Sequence, residues 1–437
     1  MIRIDTLIKA AEQAHKRLKF TFPYSLDQWL REKNMVMENY HKHTTWSDLV
    51  QIDSATGIED FMKLSDQYGC QCYFSGEHGY QGEWLYVYDL CKNTHDENFR
   101  KKLGINSPLK FRYSVEAYWV KDANAVYQEE YVEKKTGKVK TREKKDNTNC
   151  HMVIVARTYE AMRKLNYILS CAHESGFYYK PRIDLQSLFT LTKDDVFITS
   201  AGVAGWKYED ATEIWLDVWK HFGDSFFLEY QTHNTHQQKE LNKRIYEMSK
   251  TFGIQTIIGL DTHYISDEDC IKRENLLLRK GLNYPEEDGW YMDFPLGTEV
   301  YKRMKEQGAI PDEEILYAMM NTHVFIDGCE DISYDTDFKI PIHPDYLNYS
   351  YDDRAKILHD ILDTNFQKED DEHRTEDRRE GMEYEFKEIR DSKTADYFID
   401  NNSLVNLAIK KYGGQLTPTS RGSASSYYSS KLLGFTT

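Results

Sequence analysis

Within Met35-Val-Met-Glu-Asn-Tyr-His-Lys-His-Thr-Thr-Trp-Ser47 an apolar start leads to His41 and His43, one residue apart. Side chains two apart in a strand share a face, so both imidazoles aim at one point. A polar segment, Thr44 to Asp48, follows at once and places the pair where a strand gives way to a loop. Repetition makes this feature restrictive. Cys70 to Ser75 runs into Gly76-Glu77-His78-Gly79, Phe111 to Val115 alternates like a strand and reaches Glu116, and Ile254 to Leu260 ends in Asp261-Thr262-His263. Strand after strand thus closes on His, Glu or Asp, with helix-like stretches between several of them. Functional groups gathered where strands end are the pattern of a β/α barrel, and imidazoles with carboxylates suit a divalent metal. The expectation is a metal site on the rim of an α/β barrel.

Length and charge bound what else the chain does. Its 437 residues allow two or three domains, each with its own core. A net charge of −16 argues against a protein that simply coats duplex DNA, though not against an enzyme with a local nucleic-acid groove. The seven cysteines are odd in number and form no Cys-x-x-Cys pair, which fits a reduced, cytoplasmic setting. No signal peptide or membrane-length apolar run is present, so no membrane partner is expected.

Residues 1–34 read as a helical extension broken near Pro23, with Ser25 capping a second helix. Helices are predicted over Gly57–Tyr68, Trp84–Cys91, Tyr159–Ala172, Tyr208–Phe222 and Gln237–Phe252, and strands over His151–Ala156 and Val196–Ser200. Glu133 to Lys145 reads as a basic hairpin turning at Thr136-Gly137, and Lys180 and Arg182 stand beside aromatic residues as candidate DNA contacts. Tyr284-Pro-Glu-Glu-Asp-Gly289 marks a boundary, so the barrel is expected over 35–285 and a mainly helical part over 290–437. Lys368 to Arg379 reads as a solvated helix face or a disordered stretch.

These segments carry a resemblance. The barrel segment resembles a PHP domain (polymerase and histidinol phosphatase), and the order of motifs resembles the alpha subunit of bacterial DNA polymerase III, the C-family replicative polymerases. Gly176-Phe-Tyr-Tyr-Lys-Pro-Arg-Ile-Asp184, Phe226-Phe-Leu-Glu-Tyr-Gln231 and Leu260-Asp-Thr-His-Tyr264 are similar to segments of that subunit. So are Tyr384-Glu-Phe-Lys-Glu-Ile389 and Tyr397-Phe-Ile399. Thr419-Ser-Arg-Gly-Ser-Ala-Ser-Ser426 resembles the family's Gly-Arg-Gly-Ser palm segment.

The resemblance implies a distorted β/α barrel followed by a partial palm. It implies that His41, His43, His78, Glu116, His151, Asp261 and His263 bind two or three divalent ions (zinc, manganese or magnesium), joined by Asp48 or Asp53. His78, Asp261 and His263 would serve phosphodiester hydrolysis, as in a 3′–5′ proofreading exonuclease. Two positions depart from the family pattern: Gly202 stands where many members have a ligand cysteine, and Glu77 replaces the usual aspartate before His78. Arg421, Gly422, Ser423 and Ser426 would contact the triphosphate of a deoxynucleoside triphosphate, on free amides leading into a helix over 427–433. The polymerase's own metal-binding aspartates lie downstream in the family, so this chain alone is not expected to polymerise. Expected partners are DNA and the remaining part of the polymerase or other replisome subunits. A stand-alone PHP phosphoesterase and the non-catalytic scaffold half of a split polymerase are the alternatives.

Overall fold

The computed structural model describes residues 4–133, 137–335, 339–416 and 426–436. Nine strands occur among them: β1 (Cys72–Ser75), β2 (Lys110–Val120), β3 (Val126–Val132), β4 (Val139–Lys145), β5 (Cys150–Ala156), β6 (Arg182–Asp184), β7 (Val196–Thr199), β8 (Phe226–Tyr230) and β9 (Gln255–Ile258). The main sheet runs β1-β2-β5-β7-β8-β9, with β6 paired to β2; β3 and β4 form a separate hairpin. The β1–β2, β2–β6, β7–β8 and β8–β9 pairs are parallel, but β5 runs antiparallel to both of its neighbours. The central strands are buried almost throughout, because helices such as Tyr159–Glu174, Ala211–Phe222 and His236–Phe252 follow them and cover their outer face.

The stretch 39–44 lies between the two edges of this curled sheet. On one side Thr262 N donates to His41 O (3.1 Å) and His43 N to Thr262 O (2.7 Å). On the other, Lys42 Nζ donates to Phe74 O (2.7 Å) and Thr44 N to Glu77 (2.9 Å). It is extended chain with a single parallel bridge, not the regular strand that its sequence predicts. Its side chains still alternate as a strand's do, and this alternation brings His41 and His43 to one place. The fold is thus a distorted α/β barrel joined to a helical region.

Chain contacts divide the protein into compact units Met1–Ser333 and Tyr334–Thr437. The division falls well beyond the 285–290 boundary expected from composition. In the first unit, helices Gly297–Gln307 and Asp312–Asn321 pack with the barrel: Asn321 Nδ2 donates to Thr256 O (2.7 Å) and Thr256 Oγ1 to Glu314 (2.7 Å). Ser25 and Gln28 form a reciprocal cap, Gln28 N to Ser25 Oγ (3.2 Å) and Ser25 N to Gln28 Oε1 (3.3 Å), as the Ser25 start predicts.

The second unit is helical. Helices Tyr351–Phe366, Glu376–Asp391 and Ala395–Tyr412 gather Leu358, Leu362, Met382, Ile389, Ile399 and Leu432 into one core, and Arg354 pairs with Asp396 (2.6 and 3.0 Å). Among the described residues no helix is long and apolar enough to cross a membrane.

Candidate metal centre

Five histidines and three carboxylates converge at the mouth of the barrel. Glu116 is their hub. It lies 3.1 Å from His41 Nε2, 3.3 Å from His43 Nε2, 2.7 Å from His78 Nδ1 and 2.8 Å from His151 Nδ1. Asp53 Oδ2 bridges His78 Nε2 (2.6 Å) and His263 Nε2 (2.8 Å), while Asp261 Oδ1 lies within 3.4 Å of both His41 and His43. All are buried except His151 and Asp261, which are partly open. Asp261 takes a left-handed backbone (φ +49°), uncommon outside glycine but tolerated by aspartate, and this turn presents its carboxylate to the cluster.

The rings are held from behind. Ser47 Oγ donates to Glu77 (2.5 Å), so it accepts from His43 Nδ1 (3.2 Å) and leaves Nε2 as the free lone pair. His263 Nδ1 donates to the main-chain oxygen of Asp261 (2.8 Å), again turning Nε2 inward. Glu77, which also binds Thr44, therefore supports the cluster without facing it. Asp53 is fixed by Arg273, whose Nη2 reaches Oδ1 at 2.6 Å and Glu287 at 2.9 Å.

Charge balance favours cations here. Burial alone would depress His41, but Glu229, Asp261 and Glu116 outweigh it and hold the imidazole well above its usual range. Burial opposes His78 too, and Glu116 and Asp53 bring it up to about 10. Glu116 is held well below the usual carboxylate range, since His151, His78 and His41 overcome the cost of burial. Protons on His41 and His78 thus take the part that metal ions take when bound.

The donor set fits such ions. His43 Nε2 is buried with no hydrogen-bond partner, and His78 Nδ1 and Glu116 Oε2, also buried, have only each other, at 2.7 Å. Three overlapping groups, His43–His78–His263, His41–His43–Glu116 and His78–Glu116–His151, each bring one ligand atom per residue within 4.8 Å of the others. Imidazole and carboxylate donors without sulfur suit zinc, manganese or iron.

Of the two aspartates expected to compete in the first loop, Asp53 lies in the cluster. Asp48 instead accepts from the Asp53 and Ser54 amides (2.9 and 3.3 Å) and shapes the loop. Glu229, which sequence reasoning did not single out, reaches His41 Nδ1 at 2.9 Å; a lone carboxylate inside the buried run Phe226–Tyr230 was its available signal.

The predicted DNA contacts divide. Lys180 sits beside the cluster, donating to Val50 O (3.1 Å) and Gln51 Oε1 (2.9 Å) above the Tyr118 ring, which stacks on His78. Arg182 is internal, its guanidinium taken up by main-chain oxygens. Among the described residues, three of the hairpin's cations are paired within it: Arg142 and Lys144 with Glu129 (2.6 and 2.7 Å), and Lys140 with Glu133 (2.5 Å). Arg421, Gly422 and Ser423 lie outside the described residues, and Ser426 is exposed. The helix beyond them, Tyr428–Leu432, does not offer free amides, since Glu385 accepts from Tyr428 N (2.9 Å) and Ser429 N (2.7 Å).

Known proteins resemble this chain in sequence. The PHP domain family model matches residues 39–233. The DNA polymerase III subunit alpha of Aquifex aeolicus (strain VF5) is 27% identical over 239 residues, 52% of this chain and 18% of that protein. The same subunit of Borreliella burgdorferi is 26% identical over 227 residues, 50% of the chain and 19% of its own length. That of Helicobacter pylori (strain ATCC 700392 / 26695) is 23% identical over 316 residues, 68% and 23% respectively. The chain spans about a fifth of the length of these relatives. Residues 39–233 therefore match the PHP domain family, and through this segment and its flanks the chain is similar to the bacterial DNA polymerase III alpha subunits.

Proposed function

We propose that this chain is the N-terminal part of a C-family replicative DNA polymerase alpha subunit, acting in the cytoplasm with DNA, deoxynucleoside triphosphates and other replisome parts. Its PHP site would hydrolyse the 3′-terminal phosphodiester of a DNA strand. The observation that carries the hydrolytic reading is the set of three ligand groups sharing His43, His78 and Glu116, which suits two or three ions held close together. Bound divalent ions supply Lewis-acid polarisation of the phosphodiester and an activated water.

The chain's own residues do the rest. His41, His43, His78, Glu116, His151, Asp261 and His263, with Asp53, form the ligand set, and Arg273 holds Asp53 aimed at His78 and His263. Asp261, the more open carboxylate, sits on the solvent side where a strand end enters. Lys180, on the same rim, adds a cation for the incoming phosphate.

The test compares wild type with Asp261→Asn on a 5′-labelled single strand in manganese or zinc. Wild type should shorten the strand from its 3′ end, and the variant should lose at least tenfold in rate. Equal digestion by both would assign the activity to a contaminant and leave a metal-binding domain without hydrolysis.

A further inference from the structure

Beneath the cluster, strand β8 and the residue after it place two side chains, Glu229 and Gln231, side by side. Glu229 is fully buried and accepts four hydrogen bonds. Oε1 takes His41 Nδ1 (2.9 Å) and Gln231 Nε2 (3.0 Å), and Oε2 takes the Tyr40 hydroxyl (2.9 Å) and Thr199 Oγ1 (2.6 Å). Gln231 is itself anchored through its main-chain oxygen, which accepts from Asn242 Nδ2 (2.9 Å).

Two glycines make the room. A Cβ on Gly202, in the loop after β7, would stand 1.8 Å from Gln231 Oε1 and 2.3 Å from Gln231 Cδ. A Cβ on Gly259, just past β9, would stand 2.2 Å from Glu229 Oε1 and 2.3 Å from Glu229 Cδ. Neither glycine has a left-handed backbone, so chain conformation does not require them. The requirement is space for the pair.

We infer that Glu229 and Gln231 are positioning residues of the metal centre, and that Gly202 is open to seat Gln231. This rests on the metal-binding reading above. The chemistry follows from the tautomer. The carboxylate at Nδ1 keeps a proton on that nitrogen, so Nε2, beside Glu116 and Asp261, is the nitrogen that would give up its proton to an ion. Gln231 holds Oε1 in that position through its amide. A side chain at 202 displaces the amide, so Gly202→Cys weakens the site where a simple replacement of a missing ligand would strengthen it.

The experiment uses the full chain and cobalt(II) and zinc alone, with affinity from chelator competition and the cobalt absorption spectrum as the readout of ligand geometry. Wild type is measured first; if it binds neither ion, the metal reading itself fails. Given binding, Glu229→Met should weaken it about ten- to a hundredfold, the range typical of partners that orient a ligand, and should alter the cobalt spectrum. Glu229→Gln, which keeps an oxygen for Nδ1, should recover most of the affinity. Unchanged affinity and spectrum in Glu229→Met, with only the melting temperature of the metal-free protein lowered, would reduce Glu229 to a packing residue and overturn the inference.

Gly202 and Gln231 give a second arm that does not depend on the Glu229 variants folding. Gly202→Ala should weaken binding, and adding Gln231→Ala should cost little more, because the methyl then fills the space the amide left. Fully additive losses, or tighter binding in Gly202→Cys, would refute the role assigned to Gly202.

Discussion

Arg182 donates from Nε to Gly176 O (3.1 Å), from Nη1 to Asp146 O and from Nη2 to Ala123 O (3.4 Å), and is 1% exposed. It ties the loop before β6 to the segments flanking the β3–β4 hairpin. Truncation to Ala would leave three carbonyl groups short of a donor and a cavity behind them, a loss of about 2–4 kcal/mol. Urea unfolding of Arg182→Ala should show a lower midpoint, with unchanged salt dependence of DNA retention in whatever folded fraction remains. A wild-type midpoint combined with weakened DNA retention would restore the role in DNA contact. A cation beside aromatics reads the same in sequence whether it faces solvent or carbonyls, which is why Arg182 was expected outside. The cluster's histidines were legible because imidazoles at successive strand ends have few other reasons to recur. Asp48 and Asp53 were not separable, since the loop conformation alone decides which carboxylate turns inward.

At the scale of elements, His151 shows what a strand-end rule misses. It is the second residue of β5, and β5 runs antiparallel to β2, so the start of this strand lies at the same mouth as Glu116 in β2. Strand direction is a property of pairing, which local sequence does not carry. Glu116 likewise falls inside β2 and not at its end, because that strand continues to Val120. The helices beyond residue 290 have their own anchor in His323, whose Nε2 donates to Val36 O (2.8 Å) between the rings of Phe22 and Tyr24. Burial pushes its imidazole down to about 4. The unfolded chain therefore takes up a proton near pH 6.5 that the fold refuses, and stability from this group is lost as pH falls from about 6.5 toward 4. Glu38, 3.9 Å away, is pushed up to about 7 by burial and titrates with the opposite sign across an overlapping window. Comparison with His323→Gln isolates the histidine. The unfolding free energy of wild type minus that of the variant should grow by about 3 kcal/mol between pH 4 and 6.5 and stay level above it. A flat difference across that range would mean the imidazole is solvated in the fold.

For the molecule as a whole, the question is where the barrel unit ends. Composition changes near 285–290, yet the chain past that point completes contacts that the barrel begins. His263 N donates to Met292 O (2.8 Å), directly behind a ligand of the cluster. Arg303 holds Asp293 with two bonds (2.6 and 2.8 Å), which fixes the same strap. Gln307 Nε2 donates to His233 O (2.7 Å), and its Oε1 accepts from Asn242 Nδ2 (2.7 Å), closing the end of β8. Glu314 takes Thr256 Oγ1 from β9 and Arg17 from the N-terminal extension (2.7 Å each). A chain cut at 285 would leave Asn242, Thr256 and Arg17 without these partners and uncover the apolar face that Ile315, Leu316 and Met319 now bury. Each orphaned buried group costs on the order of 1–3 kcal/mol, so the three together cost roughly 3–9 kcal/mol, a large share of the about 5–15 kcal/mol that stabilises an ordinary domain. Residues 1–333 should therefore melt in one cooperative transition and retain the metal content of the whole chain. Residues 1–285 should be protease-sensitive and metal-poor, because the backing of His263 goes with the strap. Equal melting temperature and metal content in the two fragments would place the boundary at 285 after all and make the later helices an appendage.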